Sequence, residues 1–173
     1  MVELPAASAT ILIIGLGNPI LGNDGVGWRV AEAVKTKLET EIPEIASEVD
    51  VDFLSVGGLS LMERMVGYQK AILIDAIVTD QHPEGTVQYY PLAALPNRAF
   101  GHLCSSHDTT LQNALEIGRR MGASLPDLIE VVGVEAREVF DFSEDLSPEV
   151  AQAVPLAVEF ILKLILEDGN GLT

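Results

Sequence analysis

The chain has 173 residues, 48% of them apolar, so it is long enough for one domain with a substantial core and too apolar for a disordered chain. Its 26 acidic and 10 basic side chains leave a formal net charge of −16. That argues against nucleic acid and anionic membrane as partners, because both are bound through Lys and Arg that neutralise phosphates. A single cysteine, Cys104, excludes an intramolecular disulfide and fits a reducing compartment. Residues 1–10 lack a basic segment followed by an apolar one, so no signal peptide is expected. The most apolar long segment, 150–166, is interrupted by Glu159 and Lys163 and is shorter than the ~20 apolar residues of a membrane span. A soluble cytoplasmic protein is expected, one domain over 1–173 and, with no heptad or exposed apolar stripe evident, a monomer.

In chain order, TILIIG (10–15) is a short Ile-rich run ending at glycine, which suits a buried parallel strand. The stretch 25–40 carries Val26, Val30, Val34 and Leu38 at helical spacing. A second strand is predicted over 49–58, a short helix over 59–68 and a third buried strand over 70–78. The turn signal HPEG precedes a segment of strand composition, 85–92, and an irregular stretch follows over 93–107. Leu111, Ala114, Leu115 and Met121 set a helix over 108–122, and 127–135 reads as a fifth strand. The last helix, 147–169, has Ser147 as N-cap, Pro148 at its first position and Gly169 at its end. Strands alternating with helices predict an α/β domain in three layers, a five-stranded, mostly parallel twisted sheet with helices on both faces.

Ligands of such sheets bind outside the carboxyl ends of the strands. The predicted strand tails carry the 15–24 loop, Gly57, Gly58, Asp75 and Glu135, and the loop after the fourth strand carries His107. Asp75 interrupts an apolar run, where a carboxylate is costly unless paired or coordinated. Asp24 stands before the first helix, where it could serve as the N-cap and be kept ionised by the helix dipole. His107 closes HLCSSH with His102 and Cys104, but one cysteine is too few for a structural zinc site, and Cys104 reads as an ordinary loop thiol. Asp24, Asp75 and His107 together form an O/O/N donor set suited to a first-row divalent metal with open positions. Two aspartates sharing a proton are the other chemistry, although neither is followed by the Thr-Gly of acid proteases.

The glycines Gly15 and Gly17 open like a dinucleotide fingerprint, but Ile20 stands where its third glycine belongs and no acid ends the second strand. A tight strand-to-helix turn explains them as well. GLGNP also resembles the opening of peptidyl-tRNA hydrolases, over about eight residues; GNDGVG then replaces the segment that carries that family's catalytic histidine.

The whole of GLGNPILGNDGVG, with IDAIV and SSHDTTL after it, resembles the hydrogenase maturation protease family, and VGGLSLMERM and VVGVEA extend the likeness over most of the chain. The resemblance implies an endopeptidase that removes a C-terminal peptide from the nickel-loaded large-subunit precursor of a nickel–iron hydrogenase. It implies nickel supplied by the substrate rather than held by the free enzyme, with Asp24, Asp75 and His107 as the nickel-contacting positions, supported by the loop residues Gly15, Gly17, Asn18, Gly25 and Gly27. The family is often classed as aspartic-type. Many relatives carry two acids before the glycine, and here the first is Asn23. The rival readings are a peptidyl-tRNA-hydrolase-like esterase and a nickel-sensing module that binds the large subunit without cutting it.

Overall fold

The computed structural model describes residues 9–95, 110–137 and 142–169. Five strands form one sheet: β1 (Ile11–Leu16), β2 (Val49–Leu54), β3 (Lys70–Ile77), β4 (Val87–Pro91) and β5 (Leu128–Glu135). The helices are α1 (Val26–Glu41), the single turn α2 (Pro43–Ala46), α3 (Gly58–Arg64), α4 (Leu111–Arg120) and α5 (Pro148–Gly169). The strand order is β2-β1-β3-β5-β4, parallel except for β4, which runs antiparallel to β5. The predicted architecture therefore holds. The second strand is shorter than expected, because beyond Leu54 the chain turns away and the Ser55 hydroxyl donates to the Gly17 carbonyl at 2.6 Å.

Alternation along the strands builds two cores, one on each face. Ile11 and Ile13 of β1, with Ile72 and Ile74 of β3 and Val132 and Val134 of β5, pack under α1 and α5. Leu12, Ile14 and Leu16, with Ala71, Leu73 and Val131, pack under α3 and α4. Each such Leu, Ile or Val contributes about 1.5–3 kcal/mol on burial, so the Ile/Val-rich strands hold both layers. At the entering edge, Lys70 forms a buried 2.7 Å ion pair with Glu130 and also donates to the Leu164 carbonyl, tying α5 beneath the sheet.

The order β2-β1-β3 has a consequence for function. After β1 the chain goes through α1 to β2 on one side; after β2 it passes through α3 over the other face to β3. The connection direction thus reverses between β1 and β3, which opens a crevice at their carboxyl ends.

Candidate active site

The crevice is narrow because α1 begins inside it. A Cβ on Gly27, in the first turn of α1, would overlap the carbonyl oxygens of Leu16 and Ile74. Backbone therefore touches backbone from both strands, and two carboxylates lie close to this contact in sequence. One is Asp24, three positions before Gly27; the other is Asp75, immediately after Ile74. Asp75 lies within β3, in register with Gly133 and on the same side of the strand as Ala71 and Leu73. It is 0% exposed.

Asp24 is not the N-cap of α1. That position belongs to Gly25, without a side-chain hydrogen bond. The 3-10 turn Gly22–Gly25 instead turns the Asp24 carboxylate back toward the end of β1, where Oδ2 accepts from the Asn18 amide at 2.8 Å. Asn18 adds a side-chain turn of its own, accepting from the Ile20 amide at 3.2 Å. Gly17 starts this turn at φ +118°, a conformation open to glycine, and a Cβ there would overlap the Asp24 carbonyl. The predicted supporting loop is thus a closed turn that fixes the Asp24 carboxylate in place.

Contacts that the sequence did not reveal hold the turn from outside. The Gly22 amide donates to the Ser143 carbonyl at 2.6 Å, and the Ser143 amide to the Ile20 carbonyl at 3.0 Å. Asn23, 3% exposed, uses both ends of its amide: Nδ2 donates to Glu84 Oε1 at 2.9 Å, and Oδ1 accepts from the Ser147 amide at 2.7 Å. The Ser147 hydroxyl also donates to Glu84 Oε1 at 2.9 Å and caps α5 at the Val150 amide, as expected of an N-cap. Asn23, Glu84 and Ser147 therefore knot three segments: the Asp24 turn, the loop after β3 and the start of α5. Ser147 was readable as a cap, but nothing in HPEG marks Glu84 as its partner.

This knot explains the amide at position 23. An aspartate could not donate to Glu84 and would set two carboxylates face to face. Asn23→Asp is expected to cost about 1–3 kcal/mol at neutral pH. One proton shared by the pair would relieve the repulsion, so the loss should shrink as pH falls. Urea unfolding of both proteins at pH 7.5 and pH 5 checks this.

Glu135, also at the carboxyl edge, has a structural role. Its carboxylate accepts from the Thr79 amide and hydroxyl at 2.8 Å each, the Asp80 amide at 3.0 Å and Gln88 Nε2 at 2.7 Å. Burial pushes its pKa up, but these hydrogen bonds outweigh burial and hold it below the usual 4.5. Folding therefore gains stability from ionised Glu135, a gain present above the unfolded pKa and lost as pH falls through the folded one. Wild type is expected to lose more stability than Glu135→Gln as pH drops below about 4.5, as urea midpoints for the two proteins would reveal.

His107, with His102 and Cys104, lies outside the described residues. The route toward it needs one correction. The antiparallel β4 ends at Pro91, opposite Glu130, so the fourth strand exits toward the edge away from Asp24. The assumption that every strand tail points to one edge fails there. His82 is exposed in its turn. Among the described residues, no three His, Cys, Asp or Glu side chains stand together as a metal site, and no helix is long and apolar enough to cross a membrane.

The described residues thus place two carboxylates close in sequence to the contact between α1 and the ends of β1 and β3, one held by a closed turn and one buried in a strand. The profile of the hydrogenase maturation protease family matches residues 29–164, a span that begins after Asp24. The chain is 27% identical to a hydrogenase 2 maturation protease of Escherichia coli, over 92% of each chain. Among solved structures it is similar to a hydrogenase maturating endopeptidase from E. coli, with 26% identity, TM-score 0.64 and coverage of 92% and 93%. It is also similar to a NiFe hydrogenase maturation protease from Thermococcus kodakarensis, with 25% identity, TM-score 0.64 and coverage of 90% and 98%. These likenesses run nearly the length of the chain and lend no support to the short resemblance to peptidyl-tRNA hydrolases or to a module that does not cut. By sequence and by fold, the chain belongs to the hydrogenase maturation proteases and is an endopeptidase.

Proposed function

We propose that the chain removes a C-terminal peptide from a nickel–iron hydrogenase large-subunit precursor after nickel has been inserted, and that the crevice between β1 and β3 is where it does so. The observation that supports this reading is the contact of Gly27, three positions after Asp24, with the carbonyls of Leu16 and of Ile74, the residue before Asp75. Carboxylate oxygens are suitable donors for a divalent metal, and an imidazole from His107 would complete a mixed O/O/N set. Nickel arrives as part of the substrate. Asp24, Asp75 and His107 would hold it and so fix the position of the scissile bond, and its charge would supply polarisation of the carbonyl or acidification of the attacking water. In this sense the protease is aspartic-type: carboxylates are its fixed groups. Asp75 is fully buried in the free chain, so the reading requires substrate binding to uncover it. We place the protein in the cytoplasm and read it as a monomer.

The test is a processing assay with purified precursor in nickel-loaded and nickel-free forms, the C-terminus followed by intact mass. Loss of a short peptide from the loaded form alone is the expected result. Equal loss from both forms would remove the metal requirement. No loss from either, with a complex recovered by pull-down, would remove cleavage of this substrate.

A further inference from the structure

A second concavity opens beside the Asp24 turn, a cleft of about 360 Å3 between the start of α1 and the end of β2. Its wall is Trp28 against Phe53, with ring centroids 5.5 Å apart and the planes tilted by 51°. The indole Nε1 donates to the Leu54 carbonyl at 3.3 Å, which helps to orient the ring. The lip is Pro19 and Ile20, residues of the same turn that Asp24 closes, with Ile20 46% exposed. The rim carries two exposed carboxylates, Glu32 and Glu144, and one cation, Arg29, which also lines the cleft and donates to the Glu144 carbonyl at 3.1 Å.

We propose that this cleft seats a segment of the protein substrate carrying a bulky apolar side chain beside a basic one, the apolar group against Trp28 and Phe53 and the cation at Glu32 and Glu144. The inference rests on the reading of the chain as an endopeptidase with a protein substrate. Two observations select this occupant. Pro19 and Ile20 of the turn that fixes Asp24 line the cleft, so a peptide lying in it rests against that turn. Its wall is aromatic, its rim carries two carboxylates against one guanidinium, and the chain as a whole stands at −16. An apolar anchor supplies affinity and the charge supplies selectivity.

Trp28 is the one tryptophan of the chain, so its emission reports directly on the cleft, without any cleavage. The probe is an end-capped hexapeptide with leucine followed by lysine in a glycine–serine background. A saturating change in emission is expected, with a Kd on the order of 1 mM for so small an anchor. Exchanging the leucine for alanine should weaken binding about tenfold, and exchanging the lysine for glutamate should weaken it about threefold. The surface variant Glu32→Lys should weaken the parent peptide likewise, and in the precursor assay raise KM with kcat held. No emission change up to about 10 mM, or equal binding of all three peptides, overturns the proposal. So does emission that shifts with protein concentration alone, which would assign the cleft to a second copy. If the peptide ranking holds while wild type cuts no precursor, the cleft stands and the assigned substrate falls.

Discussion

Asp24→Asn and Asp75→Asn are each expected to lower precursor cleavage on the order of 10²–10⁴-fold while leaving a folded protein. The substitution at Asp24 separates charge from architecture. Its Oδ2 accepts from the Asn18 amide, and the amide oxygen of asparagine accepts the same bond, so the turn survives while the negative charge is lost. Asp24→Ala removes the bond as well and should cost a further ~1 kcal/mol of stability. If only the turn mattered, asparagine would cleave like wild type and alanine would not. If the charge matters, both variants fail in cleavage and only alanine loses stability. Asp75 has no such ambiguity of position: it is fully buried in a strand, where a carboxylate is retained against its desolvation cost. Single-turnover cleavage of nickel-loaded precursor, beside a urea midpoint for each variant, makes the distinction. Wild-type rates in either asparagine variant would remove the site assignment.

Much of this was legible in the sequence, and the reasons differ from one residue to the next. The strands were readable because Ile/Val runs buried on both faces leave no competing period, and their bounds shift by only a few residues, except where β2 stops at Leu54. Asp75 was readable because a carboxylate stands out in AILIDAIV. The N-cap role open to Asp24 in the sequence is not the one it takes. A helix N-cap is the common use of an acid before a helix, but the intervening 3-10 turn reverses its direction. The antiparallel placement of β4 was not readable, since composition carries no strand direction. Nor was the knot of Asn23, Glu84 and Ser147, whose members lie up to 124 positions apart and meet only because the start of α5 returns to the turn before α1. Side chains that support a site across such distances leave no periodic trace.

Gly27→Ala is expected to destabilise the fold by about 3 kcal/mol. A methyl there meets the carbonyl oxygens of Leu16 and Ile74, which are backbone atoms in the two central strands and cannot turn aside. Gly15 makes the contact tighter still, because its own missing side chain admits the Gly27 carbonyl and the Ala31 methyl. The helix must therefore lift as a body, loosening Val30, Val34 and Leu38 from the core beneath it. Gly118→Ala is the contrast. Its added methyl would meet the Leu125 and Met62 side chains at 2.9 Å, flexible groups that can rotate away, and alanine gains about 1 kcal/mol of helix propensity. That variant should fall within about 1 kcal/mol of wild type in urea unfolding. The two alanines also differ in function. Lifting α1 carries the Asp24 turn with it, so Gly27→Ala should lose cleavage even under conditions where it remains folded, whereas Gly118→Ala should keep it. A Gly27→Ala protein with wild-type stability would mean that α1 does not rest on the β1 and β3 carbonyls, and the proposed site at the ends of those strands would lose its physical basis.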